Sequence, residues 1–148
     1  MPSARRSTLW RLVPPLAYMA VVFALSHSPS PPVPRALWVL GDKTLHAVEY
    51  VPMGFLWARA LRAAGARAAG WGWLAAVGFG LTDELHQAFV PRRDPSALDL
   101  LADAVGAAVG ALAWLALFWA ARWRAGPVCP PAALGDIPGV GQKNRRQG

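Results

Sequence analysis

The chain has 148 residues, one domain's length, and is 55% hydrophobic with 8 Trp but only 16% charged residues. A soluble domain carries about 25% charged residues, so the composition excludes a disordered chain, argues against a soluble enzyme, and with Trp enriched at bilayer interfaces points to a small all-α polytopic membrane protein. The net charge of +7 raises nucleic-acid binding, but the basic residues interrupt apolar blocks instead of lining one face, so no nucleic-acid partner is expected.

The first predicted helix covers about residues 9–26: no charged residue occurs between Arg11 and Arg35, and Trp10 with Arg11 supplies an interfacial anchor. Arg5, Arg6 and the Ala24-Leu25-Ser26 step support a competing reading as a cleavable signal peptide. Pro29, Pro31, Pro32 and Pro34 then predict an extended loop. The second helix, about 44–64, carries His46, Glu49, Arg59 and Arg62 within an apolar block. The third, about 68–90, is apolar until Asp83, Glu84, His86 and Gln87. The fourth, about 98–121, is apolar after Asp99 and Asp103 and stops at Arg122. Each block approaches the ~20 residues that span a hydrocarbon core of ~30 Å. Residues 1–124 thus read as a four-helix membrane domain, and 125–148 as a basic, Pro/Gly-rich disordered cytoplasmic tail. The single Cys129 excludes an internal disulfide and a cysteine metal cluster.

Charge orients the four spans. Arg5, Arg6, Arg11, Arg59, Arg62, Arg67, Arg122, Arg124, Lys143, Arg145 and Arg146 fall on one side, against Arg35, Lys43, Arg92 and Arg93 on the other. The positive-inside rule places both termini in the cytoplasm, in a multi-pass membrane protein.

Asp42, Glu49, Asp83, Glu84, Asp94, Asp99 and Asp103 then all lie toward the outer side, on three segments. An intramembrane ionisable group costs about 2.5–3.5 kcal/mol on insertion scales and marks a functional site by default. Asp42, His46, Glu49 and Met53 recur at helical spacing on one stripe of the second helix, and Asp99, Asp103, Gly106 and Gly110 on one stripe of the fourth. Gly106 and Gly110 form a GxxxG, which lets another helix approach closely. Pro52 leaves the Val48 carbonyl without its helical donor and predicts a kink beside Glu49.

Asp42-Lys43-x-x-His46-x-x-x-Tyr50, Asp83-Glu84-x-x-Gln87-x-Phe89-Val90-Pro91-x-Arg93, and Asp99 followed by Gly106 resemble the VanZ-like family of small bacterial membrane proteins, whose founding member is linked to teicoplanin resistance. The resemblance covers about residues 42–110, and its DE-x-x-Q-x-F-x-P-x-R block is the specific part. It matches His46, Asp83, Glu84, Gln87, Arg93 and Asp99 to motif positions, while Asp103 stands where the family usually has Asn. The resemblance implies a multi-pass protein of the bacterial cytoplasmic membrane, with an envelope setting or a role in the glycopeptide response.

Plainer roles compete for the same residues. His46 and Glu49 read as bonded partners holding helix two against helix three, Arg93 as a partner for an Asp, His27 and His86 as bystanders, and Trp10, Trp38, Trp71, Trp73, Trp114, Trp119 and Trp123 as an interfacial belt. The leading function is binding of a lipid headgroup or a lipid-linked cell-wall precursor at the outward polar site. A metal-dependent hydrolase built on one His and two or three carboxylates is the alternative, although no HExxH is present. A proton or ion path ranks last, because residues 70–82 and 104–121 offer no ionisable relay. The sequence leaves catalysis, the cofactor or metal, and oligomerisation open.

Overall fold

The computed structural model describes residues 3–28 and 41–126, with side chains from Leu9 onward. The proline-rich stretch at 29–40, with Arg35 and Trp38, and the tail at 127–148, with Cys129, Lys143, Arg145 and Arg146, lie outside the described residues. So do the side chains of Arg5 and Arg6.

Among the described residues all regular structure is helical. Helix α1 runs over Ser3–Ser26, α2 over Asp42–Ala60, a 3-10 segment over Arg62–Arg67, α3 over Ala68–Gln87 and α4 over Ala97–Arg124. Helix α2 gives way at Leu61, earlier than residue 64, and Gly65 takes φ 62 inside the 3-10 segment. That left-handed conformation suits a residue without Cβ and turns the chain within six residues. Helix α3 stops at Gln87, short of residue 90. The Phe89 and Val90 amides donate to the His86 and Gln87 carbonyls, both at 2.9 Å, in i−3 fashion. Pro91 disfavours the helical conformation at Val90, and Arg92 turns the chain at φ 66.

Two apolar clusters hold the residues up to Phe118 together. Val22, Tyr50, Met53, Ala76 and Ala107 form one, and Ala58, Ala68, Ala69, Ala111 and Trp114 the other. Helix α1 packs on α2 and α3, and α2 packs on α3. The approach of α4 to α2 is backbone to backbone. A Cβ on Gly106 would lie 1.9 Å from the Ala47 carbonyl oxygen, one on Gly110 1.9 Å from that of Val51, and one on Gly54 2.0 Å from that of Ala107. Only glycine permits this spacing, which also favours Cα–H···O contacts.

The outer faces are apolar: Val13, Leu16 and Val21 on α1, Val48 on α2, Leu74 and Leu81 on α3, and Val105, Val109 and Leu112 on α4 are exposed. A soluble monomer rarely leaves so much contiguous apolar surface in water, whereas a bilayer matches it. Two helices, α1 over Leu9–Ser26 and α4, are long and apolar enough to cross a membrane. Trp114 is buried in the second cluster, and Trp73 donates its indole N–H to the Ala104 carbonyl at 2.9 Å. Both leave the expected interfacial belt for the helix contacts, because each indole faces a neighbouring helix.

The described residues from Trp119 to Gly126 belong to a separate unit. Within it Trp119, Arg122, Trp123 and Gly126 line a cavity of about 310 Å³, and the Arg122 guanidinium lies 6.0 Å from the Trp119 ring centroid, within cation–π range.

Candidate functional site

The polar residues of α2 and α4 meet because the glycine contacts set the register of these helices. Asp103 lies one turn before Gly106 on the α4 face that approaches α2, opposite His46, one residue before Ala47. His46 Nδ1 and Asp103 Oδ1 are 3.1 Å apart. One turn nearer the helix starts, Lys43 Nζ donates to Asp99 Oδ1. Lys43 and His46 are separated by three residues and Asp99 and Asp103 by four, so the pairs form successive rungs. The Lys43–Asp42 pair, at 3.5 Å and well exposed, adds little.

Helix α3 brings the second set of acids. Asp83 Oδ2 accepts the Ser26 hydroxyl at 2.6 Å and the Gln87 side-chain amide at 3.0 Å, joining the ends of α1 and α3. Glu84 Oε2 accepts the Ser96 backbone N–H at 2.8 Å. Ser96 precedes α4, and its Oγ accepts the Asp99 N–H at 3.4 Å, an N-cap contact. Glu84 therefore holds the residue that starts α4. Arg93 donates from Nε to the Ser28 carbonyl at 3.3 Å. The Tyr18 hydroxyl donates to the main-chain carbonyl of Glu49 at 2.9 Å, beside the carbonyl deprived of a donor by Pro52. Helix α2 stays continuous through that proline.

Not every polar atom is matched. Asp83 Oδ1, Glu84 Oε1, the Tyr50 hydroxyl and Trp57 Nε1 are buried without a hydrogen-bond partner among the described residues. Leaving such a group unsatisfied costs about 1–3 kcal/mol. Tyr50 belongs to the apolar core, stacked near Phe79 with ring centroids 6.4 Å apart. Gly80 makes room for it: the position of a Cβ there lies 3.3 Å from Tyr50 Cε1 and 3.3 Å from Asp103 Oδ2. Two three-residue sets have the donor types and spacing for a metal ion, His46–Glu84–Asp103 and Asp42–His46–Asp99, each with its ligating atoms within 4.8 Å of one another.

Lys43, His46, Glu84, Asp99 and Asp103 are thus brought together at one end of the bundle, with Tyr50 beneath them and Asp83 and Gln87 alongside at the end of α1. Asp42 stays at the exposed margin, and Glu49 contributes its main-chain carbonyl to Tyr18. Two expectations are corrected. His46 bonds to α4 and not to α3, since the glycine contacts bring α4 closest to that face of α2. The described contact of Arg93 is a carbonyl oxygen and not an Asp, because the turn after α3 carries it toward the end of α1. His27 and His86, read as bystanders, meet each other. Their Nδ1 and Nε2 atoms lie 3.1 Å apart with the rings stacked, and the Phe23 ring lies 4.4 Å from that of His86. Ser26, Ser96 and Tyr18 were not singled out from the sequence. Ser96 had a legible signal, a serine three residues before an acid at the start of an apolar run; Ser26 and Tyr18 acquire their roles only through packing of α1.

Comparison with curated proteins and with solved structures returned no match. The VanZ/LLP1 family model matches residues 3–119, a span that includes all four helices' contributions to this polar site, and the chain belongs to that family.

Proposed function

We propose that the chain is a four-span protein of the bacterial cytoplasmic membrane, with both termini cytoplasmic, residues 1–124 forming the membrane domain and 125–148 a cytoplasmic tail. Its outward polar site binds the headgroup of an envelope lipid or lipid-linked cell-wall precursor, in the service of the cell envelope or the glycopeptide (teicoplanin) response. The observation that carries this reading is the set of buried acceptors that have no donor among the described residues, Asp83 Oδ1 and Glu84 Oε1, at the polar end of an otherwise apolar bundle. Sugar hydroxyls or amines of a headgroup are the donors that would satisfy them. Arg93, whose Nε donates to the Ser28 carbonyl, supplies a guanidinium of the kind that pairs with phosphate oxygens.

The opposite end supports the orientation. Trp10, Arg11, Pro14, Arg59, Ala60 and Arg62 line a cavity of about 370 Å³ there, and from Lys43 to Arg59 is about 24 Å along α2 at 1.5 Å per residue. Acids at one end and arginines at the other, about a hydrocarbon thickness apart, suit a protein oriented with its basic end inside.

The test is teicoplanin susceptibility of a Gram-positive host expressing wild type, Glu84→Gln or Arg93→Ala at matched membrane levels, with lipid bound to the purified proteins identified by mass spectrometry. Wild type should lower susceptibility and retain a specific envelope lipid, and both variants should lose the two effects together. Wild type without either effect removes the headgroup reading.

A further inference from the structure

His46, Glu84 and Asp103 come from three different helices, yet their ligating atoms lie within 4.8 Å of one another. We propose that these three side chains hold a divalent cation of the zinc or manganese class. Each donor is positioned independently. Asp103 is 1% exposed, on the α4 face set by Gly106 and Gly110. Glu84 is 6% exposed and oriented through Oε2 by the Ser96 N–H, which leaves Oε1 buried and unpartnered among the described residues. A bond that aims a carboxylate while sparing one oxygen is the kind of outer-shell support that metal ligands receive.

Tyr50 supplies an independent polar group beside the set. It is 1% exposed, its hydroxyl has no partner among the described residues, and its ring and the Asp103 carboxylate both close on Gly80, where the position of a Cβ lies 3.3 Å from Tyr50 Cε1 and from Asp103 Oδ2. The hydroxyl can serve a metal-bound water or a fourth ligand. The 3.1 Å between His46 Nδ1 and Asp103 Oδ1 is a hydrogen-bond length. It is also about the separation of two ligands on an ion with bonds of about 2.0–2.2 Å.

Charge points the same way. Two carboxylates in a bundle surrounded by apolar surface carry a charge that one imidazolium only half offsets; a divalent ion with neutral His46 offsets both. One nitrogen and two or three oxygens, without thiolate, suit Zn²⁺ or Mn²⁺ and not Cu(I). The overlapping set Asp42–His46–Asp99 is the weaker one, because Lys43 occupies Asp99 and Asp42 is exposed. The ion's part in ligand binding, presenting a positive charge to a headgroup phosphate, rests on the headgroup reading; its occupancy of the site does not.

The experiment uses the full chain in detergent without a histidine tag, stripped with EDTA, dialysed, and titrated separately with Zn²⁺ and Mn²⁺ by calorimetry, with metal content measured by mass spectrometry. Wild type should bind one ion per chain. Glu84→Gln and Asp103→Asn should each weaken binding by more than about 10-fold, in line with what disturbing a metal's ligand shell does, while the loop variant Asp94→Asn should bind as wild type does. Should the site variants fail to fold, the visible spectrum of Co²⁺ in wild type gives the second readout, intense for low-coordinate ligation and absent without a site. Folded wild type that binds neither ion above background, or Glu84→Gln and Asp103→Asn that bind like wild type, overturns the proposal. A lipid retained in EDTA with no metal-binding capacity overturns the ion and leaves the headgroup reading standing; an ion bound with no lipid retained does the reverse.

Discussion

Single residues at the polar end act through bonds between helices, so their removal should register as stability as well as function. The Ser26 hydroxyl donates to Asp83 at 2.6 Å and sits 3.5 Å from the Gln87 amide. Ser26→Ala should cost about 1.5–3 kcal/mol, the range for a hydrogen bond to a charged group. In an Asp83→Asn background the loss should shrink, and a thermal-unfolding double-mutant cycle in detergent measures the difference. Ser96→Ala removes an N-cap and should cost about 0.5–2 kcal/mol in the same assay. The acids themselves were legible because a charge in an apolar block stands out by its cost. Their partners were not: Ser26 with Asp83 and His46 with Asp103 are each 57 residues apart, and nothing local encodes such a pairing.

At the scale of elements, glycine decides how closely α2 and α4 approach. Gly106→Val would drive a side chain into the Ala47 backbone, and a backbone cannot yield as a flexible side chain does. The expected loss is about 1–3 kcal/mol or more, the range for overpacking. Gly78→Ala on α3 meets nothing within 4 Å and should be neutral to stabilising, by up to about 1 kcal/mol from helix propensity. Unfolding midpoints of the two variants in one detergent check the contrast, and equal midpoints would refute the role given to Gly106. The small-residue stripe on α4 was visible as a spacing, but a spacing names no partner; the opposing Ala47 and Val51 carbonyls appear only when α2 is in place. Pro52 shows the same division. The lost donor at Val48 follows from proline chemistry, whereas the helix runs on without a break in the fold, with the Tyr18 hydroxyl on the adjacent carbonyl.

For the whole molecule, the proposed orientation makes a direct prediction. In a Cys129→Ser background, a cysteine at Asp94 in the turn before α4 should react with a membrane-impermeant maleimide on intact cells. One at Ala66, in the 3-10 segment, should react only after permeabilisation. The reverse pattern would put the polar site on the cytoplasmic face and end the headgroup reading as stated. Four helices were legible in the chain because hydropathy and turn residues act locally. Their ends moved by a few residues where Gly65, Pro91 and Arg92 redirect the backbone.

By itself the sequence determined the helical class, the apolar exterior and the presence of costly polar residues near one end of three segments, since each follows from composition and period along a single stretch of chain. Only the tertiary structure decided that His46 faces Asp103, that Lys43 takes Asp99, that Glu84 holds the start of α4, and that His27 meets His86. The reason is register: side chains on different helices meet only after close backbone contacts, here at Gly54, Gly106 and Gly110, have set how far each helix slides and turns against the next.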